Sequence, residues 1–237
     1  MAAEPILILT RPEADARAFA ARVRDLRQAQ ARVVISPAFA IRPEPAPLPD
    51  GIAGLVLTSR HGVAEAARRG LAGLPAWCVG DATADAARAA GLDARSASGD
   101  AEALVDLLLA ERPAGLLVHL AGAHHRGEIA ERLTDAGLNA RRITAYRQEP
   151  LGPSDALRQV AEGTAPAVAA IFSPRSVLPL AALSWTGPLH GIAMSAAVAE
   201  ALQTVPCDTL VTVPRPEAFA MAEATAAALD RIVAAAG

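Results

Sequence analysis

Leu55-Val56-Leu57-Thr58-Ser59-Arg60 and, further along, Trp77-Cys78-Val79-Gly80-Asp81-Ala82-Thr83 share one grammar: an apolar run, a small or hydroxylated turn, then residues spaced for a helix. A short apolar run without alternation suits a strand covered on both faces, and a Ser, Thr or Asp at its end suits a helix start. The first turn leads into a helix expected over Gly62 to Arg69, the second into one ending near Gly91. Working outward, Ile6-Leu7-Ile8-Leu9 reads as a strand closing at Thr10-Arg11-Pro12, with Pro12 fit for a first helical turn, Thr10 for its cap and a helix over Ala14 to Leu26. Strands are expected at Arg32 to Ser36, Gly115 to Leu120, Ile143 to Gln148, Ala167 to Phe172, Gly191 to Met194 and Thr209 to Val213. Helices are expected at Glu102 to Leu109, Gly127 to Ala136, after the turn Ser173-Pro174-Arg175, after Ser195-Ala196-Ala197 through Leu202, and over Ala218 to Ala235. Arg42 to Asp50 holds four prolines and is expected to be an irregular surface connection. Strands alternating with helices predict an α/β protein with parallel sheets covered on both faces.

Composition narrows the function classes. The chain has 237 residues, 52% of them hydrophobic, enough for a sizeable core and a length that suits two domains better than one. All 22 basic residues are arginine, against 25 acidic ones, for a net charge of −3. A mildly acidic chain without basic clusters is a poor partner for duplex nucleic acid. Two cysteines, Cys78 and Cys207, are too few for a disulfide framework, and Cys78 sits inside an apolar strand pattern as a small hydrophobe would. No apolar run is long enough for a membrane helix, and Met1 to Thr10 lacks the basic start of a signal peptide. The expectation is a cytoplasmic α/β protein acting on a small molecule.

The absence of lysine excludes a P-loop, Schiff-base catalysis and the usual pyridoxal-phosphate anchor, and no GxGxxG is present. His119, His124 and His125 lie together, but no Asp, Glu or Cys stands at a supporting spacing for a metal, and a solvated loop after the Gly115 to Leu120 strand suits the pair His124-His125 better. An internal echo carries more. Leu57-Thr58-Ser59-Arg60 with Gly80-Asp81-Ala82-Thr83 parallels Phe172-Ser173-Pro174-Arg175 with Ser195-Ala196-Ala197-Val198, which puts Arg60 and Arg175 at equivalent places. Two similar substructures are expected, each with hydroxyl-rich turns at the carboxyl ends of its strands, where open parallel sheets bind ligands. Each turn reads either as a plain helix cap or as a set of backbone N–H groups, with an arginine beside it, offered to an anion. Tyr146, the only tyrosine, reads either as a packed strand aromatic or as a phenol able to donate a proton to a leaving group.

Taken in order, these pieces resemble the uroporphyrinogen-III synthase family. The resemblance rests on Leu9-Thr10-Arg11-Pro12, on Leu57-Thr58-Ser59-Arg60 with Val63, and on Val79-Gly80-Asp81-Ala82-Thr83-Ala84 with Gly91. It continues through Gly122 and Arg126 ahead of Glu128–Gly137, Thr144-Ala145-Tyr146-Arg147, and Phe172-Ser173-Pro174-Arg175-Ser176-Val177. It implies two similar parallel-sheet α/β domains joined by a short two-stranded linker, with the active site in the interdomain cleft. One domain would be 1–37 with 150–237, the other 42–145, with linker strands 38–41 and 146–149. It implies a cofactor-free lyase that cyclises hydroxymethylbilane to uroporphyrinogen III with loss of water and inversion of ring D; no metal is expected from the ligand count above, and a monomer is expected because no heptad seam or long exposed apolar face is evident. Tyr146 would assist departure of the hydroxyl, and Thr10, Arg11, Ser59, Arg60, Thr83, Ser173 and Arg175 would meet the substrate. Ser195 stands beside the place where the family often carries a threonine, and is carried over as a ligand contact only. The reading from a different class is a two-lobed module of the same fold that binds a small anion without catalysis; a solute receptor of periplasmic type is a third.

Overall fold

All four residues of β1 (Ile6–Leu9) are buried, as a central strand of a parallel sheet must be. In the computed structural model, which describes residues 4–27, 30–124 and 128–235, β1 lies between β2 (Arg32–Ile35) and β9 (Ala167–Ile171). Beyond β9 come β10 (Leu189–Ala193) and β11 (Thr209–Thr212), and every pairing in this five-stranded sheet is parallel. A second sheet has the order β3 (Phe39–Pro43), β8 (Ala140–Pro150), β7 (Leu116–Gly122), β4 (Ile52–Leu57), β5 (Pro75–Cys78), β6 (Asp93–Ser96). From β8 to β6 it too is parallel throughout.

The chain divides into two compact units: a terminal unit of Met1–Ala40 with Pro150–Gly237, and a middle unit of Ile41–Glu149. The order β11-β10-β9-β1-β2 of the first and β6-β5-β4-β7-β8 of the second are the same five-strand path, entered at a different point of the chain. In the middle unit the order of strands reverses between β4 and β7, in the terminal unit between β9 and β1. Such a reversal opens a crevice at the carboxyl ends of the two strands, where ligands of open α/β sheets bind.

Strand alternation assigns each side chain to one of two cores per unit. Ile6 and Ile8 pack toward Leu157 of α6 (Asp155–Glu162), Leu180 of α7 (Leu178–Ala181) and Val198 of α8 (Ala196–Leu202). Leu7 and Leu9 pack toward Phe19 of α1 (Glu13–Asp25) and Met221 of α9 (Ala218–Ala235). In the middle unit Leu55 and Leu57 meet Val63 of α2 (Arg60–Arg68) and Ala84 of α3 (Asp81–Ala89). Val56, on the other face, meets Leu104 of α4 (Ala101–Glu111) and Leu133 of α5 (Ile129–Asp135). The many alanines let these helices lie close to the sheets.

Several expectations need correction. Thr10 does not cap α1: Pro12 stands at the cap position and no side chain bonds to the helix start. After Ser173 the chain makes a 3₁₀ turn (Pro174–Val177) before the single-turn α7. α6 is a helix beyond those expected, capped by Ser154, which accepts from Leu157 N at 3.3 Å. β6 is likewise a strand beyond those expected: it is an edge strand in which Ala94 alone is buried, so it carries no apolar run. The irregular stretch begins later than Arg42, because β3 takes in Arg42 and Pro43. Register also moves the internal echo by one residue. Leu57 pairs with Cys78 and Ile171 with Ala193, so Ser59 matches Ser173, Arg60 matches Pro174, and His61 matches Arg175. His125, Arg126 and Gly127 lie outside the described residues.

Candidate active site

The site of the middle unit starts from the end of β4. Ser59 takes up extended backbone (φ −157°, ψ 158°) and caps α2, its Oγ accepting from Gly62 N at 3.3 Å. Gly62 is the residue by which α2 comes down on β7: a Cβ there would stand 2.7 Å from the Leu120 carbonyl oxygen. Tyr146 reaches the same place from β8. A register shift between Ala121 and Gly122 brings Tyr146 opposite Gly122, two residues on from Thr144, which faces Ala121. The ring then lies against a glycine, where a Cβ would be only 2.8 Å from Tyr146 Cε2. The phenol oxygen is 2.8 Å from Ser59 Oγ, and the His61 ring meets the Tyr146 ring edge-on at a centroid distance of 5.5 Å. The Tyr146 residue is 6% exposed, and its carbonyl accepts from Ala123 N at 2.8 Å.

Beside this pair Thr58 Oγ1 is 3.4 Å from His119 Nε2, and His119 is buried in β7. His124 is exposed after the same strand. Among the described residues no three His, Cys, Asp or Glu side chains gather as metal ligands would. Thr83 is the third residue of α3, buried, its N–H bonded to the Gly80 carbonyl at 3.0 Å; Gly80 leaves that helix without a side-chain cap. Asp81, at the head of α3, accepts from Ser98 Oγ at 3.1 Å, and hydrogen bonds from Ser96 and Ser98 hold its carboxyl below the usual range. Arg60 is exposed at the first position of α2. Burial pushes the Cys78 thiol up to about 11, which leaves it protonated and unsuited to act as a nucleophile at neutral pH.

In the terminal unit the corresponding turns follow β1, β9 and β10. Thr10 is 2% exposed, and its Oγ1 has no hydrogen-bond partner among the described residues. The guanidinium of Arg11 lies over the Phe172 ring at 4.0 Å, and that of Arg175 over the Phe39 ring at 4.4 Å. Ser173 Oγ is 2.6 Å from Ser176 Oγ, while Ser195 caps α8 by accepting from Val198 N at 3.4 Å. The structure thus brings Ser59 to Tyr146, and Arg11 to the residue before Ser173. Ser195 and Thr83 bond within their own helix starts. Sequence reasoning missed His61 as a neighbour of the phenol and Gly122 as its seat. A glycine closing the apolar run of β7 was the available signal, but only the register shift gives it meaning.

A family model described as HEM4, uroporphyrinogen-III synthase HemD, matches residues 20–231. Among solved structures the chain is similar to uroporphyrinogen-III synthetase from Helicobacter pylori 26695, at 12% identity over 95% of this chain and 100% of that one, with a TM-score of 0.65. It also aligns with a mutant uroporphyrinogen III synthase from Thermus thermophilus, at 17% identity over 96% and 99% of the two chains, but the TM-score of 0.49 carries no weight for the fold. At such identities the first likeness speaks to fold alone. No curated protein sequence matches. Among the described residues no helix is long and apolar enough to cross a membrane. The family match takes in most of the chain, with the β4/β7 strand-order reversal and the Ser59–Tyr146 pair, and by it the chain belongs to the uroporphyrinogen-III synthase HemD family.

Proposed function

We propose that this chain cyclises hydroxymethylbilane to uroporphyrinogen III, with Tyr146 as the proton donor. The Tyr146 phenol gives its proton to the terminal hydroxyl of the bilane; the C–O bond breaks with its electron pair on oxygen, and water leaves. A pyrrole-stabilised azafulvene cation and a phenolate remain. The cation is attacked at the substituted carbon of ring D, a spiro intermediate forms and reopens, and ring D closes inverted. Loss of a proton from the final ring carbon restores the phenol. The sum is one bilane to one macrocycle plus water, redox-neutral, so the reaction calls for no redox cofactor.

The observation that carries this reading is the phenol oxygen 2.8 Å from Ser59 Oγ, at the carboxyl end of β4 beside the strand-order reversal, in a chain of this family. A net charge of −3 cannot draw in a polycarboxylate by its overall field, so local donors must do so. We propose that the strand-end turns of both units supply them: Arg60 and Thr83 in the middle unit, Thr10, Arg11, Arg175 and Ser195 in the terminal one, and the backbone N–H groups of the helix starts that Ser59 and Ser173 place, which Ser59→Ala leaves intact. Thr10 fits that role because a buried hydroxyl without a partner costs stability until something bonds to it. The proposed enzyme is a monomer of the cytoplasm.

The test supplies hydroxymethylbilane and resolves the uroporphyrin isomers after oxidation. Predominantly type III product is expected. Type I product at the protein-free rate would sink the enzyme reading and leave an anion-binding module, for which Val198, standing where the middle unit has Thr83, is the supporting observation.

A further inference from the structure

Resting on the reading that Tyr146 protonates the departing hydroxyl, we propose that Ser59 is the positioning residue of that step, donating its own hydrogen to the phenol oxygen. Gly62 N–H, Ser59 O–H and Tyr146 O–H then form one line of donors that ends at the substrate. The argument is one of hydrogen count. A backbone N–H can only donate, so the 3.3 Å contact from Gly62 N occupies a lone pair of Ser59 Oγ. Ser59 keeps one hydrogen and one lone pair for the phenol at 2.8 Å. Were the phenol the donor to Ser59, it would spend on a neighbour the single hydrogen that the reaction needs. With Ser59 as donor, that hydrogen points away from Ser59.

The same arrangement prepares for the charge that follows. Once the phenol proton has passed to the leaving oxygen, Ser59 retains its hydrogen and holds it against the phenolate, a charge-assisted bond stronger than the neutral one before it. Ser59 also caps α2, a helix of nine residues, so the positive end of the helix dipole lies on the same side. The ring itself has little freedom to seek another partner, seated against Gly122 and in T-shaped contact with His61.

Tyr146 is the only tyrosine in the chain, so its Raman Fermi doublet, which separates a phenol that accepts from one that only donates, is read without overlap. In the free protein the expected doublet is that of an accepting phenol, kept in Ser59→Thr and shifted toward donor-only in Ser59→Ala. Turnover in Ser59→Ala should fall about tenfold in kcat with KM unchanged, the effect of one lost hydrogen bond on the reacting group, and Ser59→Thr should recover most of it. Ser59→Asp separates donation from capping, since aspartate caps a helix but, ionised, only accepts. It should keep the fold, turn the phenol to a donor and lose kcat as alanine does. A donor-only doublet in the unmodified protein, an unchanged doublet in Ser59→Ala, or full turnover in Ser59→Asp would overturn the proposal. Full turnover in Tyr146→Phe would instead overturn the catalytic reading of the phenol, with the Raman arm still deciding the direction of the Ser59 bond.

Discussion

The middle and terminal units run five strands in one order, and their register lets them be compared residue by residue. Ser59 and Ser173 occupy the same place after the central strand of each path. In the middle unit the serine caps a helix through Gly62 N and meets a phenol. In the terminal unit it bonds to the hydroxyl of Ser176, the counterpart of Gly62. Arg142 faces His119 as Ile35 faces Leu9, and with His119 matching Leu9 the count along the strands sets Tyr146 against Phe39. His61 meets one ring in a T-shaped contact, and its counterpart Arg175 lies over the face of the other. One scaffold therefore offers a ring at two equivalent positions, and only one ring carries a hydroxyl with a bonded partner. Shared topology settles where a ligand edge lies; the side chains decide which edge can do chemistry.

Tyr146→Phe makes the middle unit read as the terminal one does, and is the largest expected effect: a fall in turnover of about a hundred- to ten-thousandfold, the usual reach of a general acid, with residual product shifting toward type I. Unchanged turnover would break the comparison. Next is Arg69→Ala. Arg69 pairs with the buried Glu65 at 3.5 Å and donates to the Glu44 and Ala46 carbonyls, tying the proline-rich stretch to α2. Loss of about 3 kcal/mol is expected by denaturant titration, since Glu65 is left with the half-exposed Arg68 alone. Gly122→Ala should cost about 2 kcal/mol and lower turnover as well, because the ring must move off its seat; a loss of stability with full turnover would mean that the seat does not matter to the phenol.

Thr10→Val works in the opposite direction. Removing a buried hydroxyl that has no partner should stabilise the protein by about 1 kcal/mol, seen as a raised thermal midpoint, while KM rises severalfold. A raised midpoint with unchanged KM would make Thr10 a packing residue and nothing more. The smallest effect concerns acid. Hydrogen bonds from Ser96 to Asp81, from Arg132 to Glu102 and from Arg42 to Glu149 hold three carboxyls of the middle unit below the usual range. A carboxyl with a lowered folded pKa adds stability that is complete above its unfolded pKa, about 4, and is lost as pH falls through the folded value. Stability should stay level through neutrality and decline only below about pH 4, slightly, because all three groups are exposed. Ser98→Ala should bring the Asp81 carboxyl upward in an NMR titration.

By itself the sequence determined the alternation of strands and helices, because strands buried on both faces read as apolar runs and helix starts carry hydroxyls. It also determined the two-part echo and the short list of residues from which the candidate site is drawn, Ser59 and Tyr146 among them. Tertiary structure alone decided what joined them. The edge strand β6 has no apolar run to read and exists because β5 offers it hydrogen bonds. The shift between Ala121 and Gly122 turns Tyr146 toward Ser59, 87 residues away in the chain, and the pairing of β9 with β10 moved the echo by one residue. Apolar periodicity tells which face a side chain takes. Register depends on which backbone groups find each other across space, and that information is held by no single segment.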